Sequence, residues 1–247
     1  ILIGLVGSEM CIRDRKKILL FGVSILFCMV EFYSFSQDNA QNWANFKHYA
    51  EQNKLLKATV IVPKRVVFIG NSITEGWVNQ HPDFFKQNGY VGRGIGGQTS
   101  YQMLLRFRED VINLLPEVVV INAATNDIAE NAGAYNEDYS FGNIISMVEL
   151  ARANGIKVIL TTTLPSSSFS WNPSIKDATQ KITALNKRLA TYAKDRQIPF
   201  VDYYSNMVCI SNGDQLSKYT NDGVHPNSQG YDVMESLIKP VIDKVLN

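Results

Sequence analysis

Short apolar runs rich in β-branched residues recur along this chain, and stretches with helical spacing separate them. The runs cover residues 66–69, 90–91, 118–121, 156–160 and 199–201. Continuous apolar segments of this length are typical of strands that are buried on both faces. When such strands alternate with helices, right-handed crossovers make them parallel. The sequence therefore predicts an α/β fold in which helices cover both faces of one parallel sheet.

Amphipathic spacing and capping signals predict the helices of this fold. They cover residues 38 to about 56, 100 to about 114, 139–153, 175–196 and 228–246. Ser100 is the expected cap of the second helix, and Asn154-Gly155 is a C-cap signal for the third. Residues 77–85 show no clear period and are expected to be irregular.

A serine follows directly on the first apolar run. Gly70 and Asn71 predict a sharp turn at the carboxyl end of this strand, so Ser72 lies at its tip. In open α/β sheets ligands bind beside the strand tips, which makes Ser72 a candidate nucleophile. A serine after such a turn is also a common helix N-cap, and this one stretch does not separate the two interpretations.

Three later loops supply the other parts of an acyl-transfer site. The backbone at Gly96-Gly97 and the side-chain amide of Asn126 offer neutral hydrogen-bond donors for an oxyanion, together with the Ser72 N–H. His225 follows Asp222 by three residues in a turn-forming stretch. A neutral imidazole can take the serine proton, and a carboxylate can orient that imidazole. Activity should therefore fall on acidification as His225 gains a proton.

Four blocks of the sequence resemble, in order, those of the SGNH hydrolases, the GDSL-type esterases. They are GNSIT (70–74), GIGGQT (94–99), ATND (124–127) and DGVHP (222–226). The resemblance implies that Ser72 is the nucleophile and that Asp222 and His225 complete the triad. It also implies an oxyanion hole of Ser72, Gly97 and Asn126. The implied fold is a three-layer α/β/α sandwich with a flavodoxin-like, five-stranded parallel sheet.

Two residues depart from the usual pattern of that family. Asn71 stands where the first block usually has Asp, and Ala124 stands where the third block usually has Gly. Asn71 is expected to change loop hydrogen bonding more than chemistry, and the Ala124 methyl group is expected to narrow the cleft. Asn71 and Trp77 are candidate substrate-binding residues. Trp171 and Tyr101 are further candidates for an aromatic substrate platform, although aromatic residues more often lie in the core.

Charge and cysteine content narrow the possible functions. The formal net charge is +1, and residues 37–247 carry 20 basic and 20 acidic side chains, so no nucleic-acid partner is expected. Beyond residue 36 only Cys209 remains, with three histidines, which is too little for a zinc site. No metal and no cofactor are predicted.

Other function classes fit the sequence less well. Residues 92–97 match a dinucleotide-binding pattern, but that pattern belongs after the first strand and requires an acid at the end of the next. No Gly-x-Ser-x-Gly elbow of a classical α/β-hydrolase surrounds any serine. A catalytically silent sugar-binding protein with the same fold is the remaining alternative, and Asn71 motivates it.

The amino-terminal residues indicate export. Residues 1–15 resemble a translated adapter and are interpreted as a non-native leader. Lys16 and Lys17 precede a 13-residue apolar run, and small residues at positions 34 and 36 favour a signal peptide over 16–36 with cleavage after Ser36. An uncleaved membrane anchor is the alternative. The hydrolase domain would then cover residues 37–247.

The sequence thus predicts an exported serine esterase that removes a short acyl group, foremost acetyl, from a carbohydrate. The alternative substrate is a lysophospholipid or another small lipid ester. The expected partner is a small-molecule or glycan ester, without stable membrane insertion of the mature chain. The oligomeric state stays open.

Overall fold

Five parallel strands form the centre of the computed structural model, which describes residues 42–58 and 64–247. The strands are β1 (Val66–Gly70), β2 (Tyr90–Gly94), β3 (Val118–Ile121), β4 (Lys157–Thr161) and β5 (Phe200–Val201). Their order across the sheet is β2-β1-β3-β4-β5, and every neighbouring pair is parallel. The prediction of a five-stranded parallel sheet is confirmed.

Helices connect the strands and cover both faces of the sheet. They are α1 (Ala50–Ala58), α2 (Ser72–Gln80), α3 (Pro82–Asn88), α4 (Ser100–Asp110), α5 (Thr125–Ile128), α6 (Glu137–Ala153), α7 (Ala178–Asp195), α8 (Tyr204–Met207) and α9 (Ser228–Leu246), with a 3₁₀ turn at Ile112–Leu114. Residues 44–247 belong to one compact unit.

Two apolar cores lie on opposite faces of the sheet because side chains alternate along each strand. In β1, Val67 and Ile69 join the core beneath α4, α6 and α7, whereas Val66 and Phe68 join the core beneath α2, α3 and α9. All five residues of β1 are buried. This arrangement confirms the predicted three-layer α/β/α sandwich.

The expectation that residues 77–85 are irregular is wrong. These residues lie in α2 and α3, which join at His81. Pro82 begins α3 at a position that needs no backbone N–H donor, and Gly89 ends it in the left-handed conformation. Aromatic side chains on these helices cluster around Phe68 of β1, so tertiary packing stabilises two helices that have no simple sequence period.

Two predicted helices also differ from the structure. The predicted start at residue 38 lies outside the described residues, but residues 43–49 contain turns where the pattern predicted a helix, and α1 begins at Ala50. The second predicted helix is capped by Thr99, whose N–H donates to Gln102 Oε1 at 2.9 Å, so Ser100 is the first helical residue.

The predicted leader (1–15), signal peptide (16–36) and cleavage point after Ser36 lie outside the described residues. Among the helices within 42–58 and 64–247, none combines the length and the apolar composition that a membrane crossing requires.

Candidate active site

Ser72 lies at the carboxyl end of β1, where the chain turns into α2. Asn71 is the N-cap of this helix, and its Oδ1 accepts a hydrogen bond from the Ile73 N–H at 3.0 Å. As the first helical residue, Ser72 has a backbone N–H with no acceptor inside the helix. The turn therefore presents a hydroxyl and, as far as the described residues go, an unpaired backbone donor from the same residue.

Asn71 itself is fully buried, with 0% of its surface exposed. Its Nδ2 has no hydrogen-bond partner among the described residues. The interpretation of Asn71 as a substrate-binding residue is therefore wrong, because its side chain caps α2 from within the fold.

Ser72, His225 and Asp222 form one hydrogen-bonded series. Ser72 Oγ lies 2.9 Å from His225 Nε2, and His225 Nδ1 lies 2.7 Å from Asp222 Oδ2. The series joins residues 153 positions apart in the chain. The carboxylate fixes a proton on Nδ1, which leaves Nε2 free to accept the serine proton.

A tight turn holds the acid and the base together. Asp222 Oδ1 accepts hydrogen bonds from the backbone N–H groups of Val224 at 2.9 Å and His225 at 2.7 Å. Thr220 Oγ1 donates to the His225 carbonyl at 2.8 Å and accepts from the Gly223 N–H at 3.0 Å. Partial burial alone would raise the pKa of Asp222, but hydrogen bonds from His225 and Val224 and the His225 charge lower it below its usual value.

The two glycines of the second loop have different roles. The Gly96 N–H donates to Glu75 Oε2 at 2.9 Å and is thus already occupied. Gly97 has a φ of 75°, in the left-handed region, and its N–H donates to no acceptor within the described chain. A Cβ added to Gly96 would lie 3.9 Å from the Ser72 Cβ, which places this loop beside the serine. Of these two glycines, Gly97 is therefore the one whose backbone N–H is available to a ligand.

Asn126 lies in α5, directly after β3, and is 3% exposed. One of its Nδ2 protons is donated to the Gln98 carbonyl at 3.0 Å, and its Oδ1 accepts from Asn131 Nδ2 at 3.1 Å. The second Nδ2 proton has no acceptor among the described residues. The amide is thus held in place by two bonds and keeps one donor for a ligand.

Ala124 is the N-cap residue of α5. Its φ of 80° lies in the left-handed region, where glycine is favoured, and it is 1% exposed. The methyl group therefore lies in the core. The expectation that it narrows the cleft is wrong.

A fully buried arginine that no sequence motif indicated supports the serine turn. The Arg106 side chain donates to the Gly70 carbonyl at 2.8 Å, the Arg93 carbonyl at 3.0 Å and Gln98 Oε1 at 2.5 Å. It also pairs with Asp110 Oδ2 at 2.9 Å. Burial lowers the pKa of the Arg106 guanidinium, and Asp110 opposes this shift. Arg106 thereby ties together the ends of β1 and β2 and the loop that carries Gly97.

Asp127 also acts from within the fold. Its carboxylate accepts from the Ser100 N–H at 2.8 Å, from the Ser100 hydroxyl and from Ser140 Oγ at 2.9 Å. Asp127 thus joins the start of α4 to α6 through one backbone N–H and two serine hydroxyls.

The aromatic candidates separate into core and cleft. Trp77 is 2% exposed, stacks on Phe84 and Tyr231, and donates to Glu235, so its interpretation as a substrate-binding residue is wrong. Trp171 is 44% exposed, and its ring centroid lies 6.3 Å from that of His225. Trp171 is thus the aromatic side chain beside the triad.

One group of metal-ligating side chains stands out in the described part of the chain, formed by His81, Asp232 and Glu235. Both His81 ring nitrogens are already hydrogen-bonded, Nδ1 to Glu235 at 2.7 Å and Nε2 to Ser228 at 2.8 Å. These bonds tie α9 to the junction of α2 and α3, so the group has a structural explanation.

A protein-family model matches the part of the chain that carries this site. Residues 68–233 match the model of the GDSL-like Lipase/Acylhydrolase family. This range contains the serine turn, both donor loops and the acid–base turn. The chain belongs to the GDSL-like lipase/acylhydrolase family, as the resemblance predicted.

Two solved structures are similar over most of the chain. One is from Bacteroides fragilis, assigned to the acylhydrolases, with 70% identity and a TM-score of 0.81 over 83% of this chain and 99% of that one. The other is a GDSL-like lipase from Bacteroides thetaiotaomicron, with 65% identity and a TM-score of 0.80 over 81% and 98%.

A more distant relative is named for its substrate. An acetylxylan esterase from Xylanibacter ruminicola is 25% identical over 72% of this chain and 43% of its own length. The chain spans less than half the length of the curated relatives it matches.

Proposed function

We propose that this protein hydrolyses carboxylic esters through an acyl-enzyme on Ser72. The observation that carries the proposal is the unbroken hydrogen-bonded series from Ser72 Oγ through His225 to Asp222. A serine hydroxyl attacks an ester at neutral pH only if a base removes its proton, and this series supplies that base.

The chemistry follows from these contacts. Ser72 Oγ attacks the ester carbonyl while its proton passes to His225 Nε2, and Asp222 stabilises the resulting imidazolium. The N–H groups of Ser72 and Gly97 and the free Nδ2 proton of Asn126 bind the oxyanion. The alcohol leaves with the proton from His225. Water then attacks the acyl-enzyme while His225 takes its proton, and His225 returns this proton to Ser72 Oγ as the acid is released.

The favoured substrate is a short acyl ester, foremost acetyl, on a carbohydrate. Support comes from the acetylxylan esterase among the relatives and from the exposed Trp171 indole beside His225, since aromatic rings present flat apolar faces to ligands. A lipid ester is the second candidate, because the 65% identical solved structure is named a GDSL-like lipase. The amino-terminal pattern and the curated relatives support export of a domain that covers residues 37–247.

A substrate panel tests this function. Acetylated xylo-oligosaccharides and p-nitrophenyl esters with acyl chains of two to twelve carbons are compared for the wild type and Ser72→Ala. We expect acetyl esters to be cleaved fastest and Ser72→Ala to lose at least about 1,000-fold in kcat, with the thermal unfolding midpoint retained. Full activity of a folded Ser72→Ala variant would contradict the acyl-enzyme, and faster turnover of long chains would favour the lipid ester.

A further inference from the structure

Two side chains, Trp171 and Asn131, connect the cleft mouth to the candidate oxyanion donors. Trp171 Nε1 lies 2.8 Å from Asn131 Oδ1. Asn131 Nδ2 in turn lies 3.1 Å from Asn126 Oδ1 and 3.2 Å from the Gly97 carbonyl. Asn131 thus touches both residues that, with Ser72, would bind the oxyanion.

The hydrogen-bonding chemistry of these groups permits only one orientation of the two amides. An indole N–H donates and never accepts, so the Asn131 atom that faces Trp171 must be its carbonyl oxygen. The Asn131 amino group must then face Asn126, which requires the Asn126 carbonyl oxygen at that contact. The Asn126 amino group is left to face the Gln98 carbonyl and the cleft.

Exposure explains why such an anchor is needed. Asn131 is exposed to solvent, and an exposed amide on a loop rotates freely unless its partners hold it. The segment that carries Trp171 is itself fixed here, because Asn172 Nδ2 donates to the Ala129 carbonyl at 2.9 Å. The 171–172 segment therefore holds the 129–131 loop at two points.

We propose that Asn131 and Trp171 are positioning residues that orient the Asn126 amide toward the oxyanion. This inference rests on the proposed ester hydrolysis. Neither side chain touches the reacting atoms by this account. Both act through Asn126, so their loss should lower kcat and leave KM for a small ester nearly unchanged.

The substitution Asn131→Asp gives the sharpest test. A carboxylate has the same shape and accepts from Trp171, but it cannot donate to Asn126 Oδ1 or to the Gly97 carbonyl. The Asn126 amino group then has two acceptors on opposite sides, the Gln98 carbonyl and the new carboxylate, and the stronger bond to the charged carboxylate favours the flipped orientation. We expect a loss of about 100- to 1,000-fold in kcat, the range for one oxyanion donor.

Three further variants separate orientation from charge and from ring contact. Asn131→Ala removes the donor without adding charge and should lower kcat by about 10-fold. Trp171→Phe keeps a ring beside His225 but removes the N–H, with a similar expected loss in kcat. Asn206→Asp, an exposed asparagine outside the site, is the matched control and should behave like the wild type.

The kinetics use p-nitrophenyl acetate, and a second measurement does not depend on turnover. In ¹H–¹⁵N spectra, the side-chain amide of Asn126 and the indole N–H of Trp171 should shift in Asn131→Asp and not in Asn206→Asp. Unchanged resonances would overturn the inference even if no ester were cleaved. An altered KM with unchanged kcat in these variants would also overturn the inference. In Trp171→Phe, that result would mean that Trp171 contacts the substrate and does not position Asn126. If the wild type cleaves no ester, the proposed function fails, and the spectra alone decide the orientation.

Discussion

The two halves of the candidate site are built in opposite ways. The serine turn is supported by the interior of the fold, where Asn71 and Arg106 are both fully buried. The acid–base turn lies at the surface, where the side chains of His225 and Asp222 are 37% and 47% exposed. Burial fixes the atoms that must meet an ester carbonyl, whereas exposure leaves the base in contact with water.

Different bonds hold each half. On the serine side, one guanidinium joins three chain segments at Gly70, Arg93 and Gln98, far from solvent. On the base side, Thr220 and Asp222 bond mainly to backbone groups within five residues of themselves. Long-range buried bonds are lost only when the fold opens, while local turn bonds form within one loop. The serine side should therefore be the more sensitive to substitution.

The largest expected effect comes from Arg106→Met. The change leaves Asp110 buried without its cation and three acceptors without their donor, so we expect a loss of about 3–5 kcal/mol in unfolding free energy. Denaturant unfolding measures this loss. Arg108→Met, an exposed arginine on the same helix, is the control and should change stability by less than about 0.5 kcal/mol. Equal stability of the two variants would contradict the contrast between the halves.

A matched pair of glycines compares the halves directly. A Cβ at Gly94 would lie 2.2 Å from the Glu75 nitrogen and 2.6 Å from the Asn71 carbonyl oxygen, both backbone atoms. Gly94→Ala should therefore cost about 3 kcal/mol. Gly223 in the acid–base turn has a φ of 80°, and no heavy atom of the described residues lies within 4 Å of the added carbon, so Gly223→Ala should cost only about 1 kcal/mol of backbone strain. Thermal or denaturant unfolding of both variants measures these two losses. A larger loss for Gly223→Ala than for Gly94→Ala would contradict the contrast between the halves.

The smallest expected effect is the pH dependence that Asp222 contributes. Because its folded-state pKa lies below the usual value, the carboxylate stabilises the fold above about pH 4, and this contribution is lost as the pH falls through the folded pKa. The difference in unfolding free energy between the wild type and Asp222→Asn should be below about 1 kcal/mol and should shrink from pH 7 to pH 3. In a His225→Ala background the shrinkage should be smaller, since the imidazole causes part of the shift. A difference that grows on acidification would contradict this account.

The sheet could be predicted from the sequence because short, continuous apolar runs are typical of strands that are buried on both faces. Five strands, the helices after β2, β3, β4 and β5, and the meeting of residues 72, 222 and 225 all followed from local pattern and ordered motifs. The α2–α3 region did not, because its helices depend on aromatic packing against Phe68 rather than on a regular period.

Residues that act through others were the hardest to predict. Arg106 lies on the same helical face as Met103 and Asp110, and a charged pair on an apolar face was a signal for a buried ion pair. Asn131 lies in a polar loop with no period, and only its contacts with Asn126 and Trp171 reveal a role. Asn71 and Trp77 were wrongly predicted to bind substrate because their nearness to Ser72 in the sequence does not reveal that both side chains are buried.

The Glu75 carboxylate lies one helical turn beyond the serine and accepts a hydrogen bond from the Gly96 N–H. Its charge also affects the release of the product. Ester cleavage as proposed turns a neutral reactant into an anion at each turnover. A fixed negative charge repels that anion and leaves the neutral reactant unaffected. The released acid should therefore inhibit weakly, and turnover should continue as it accumulates.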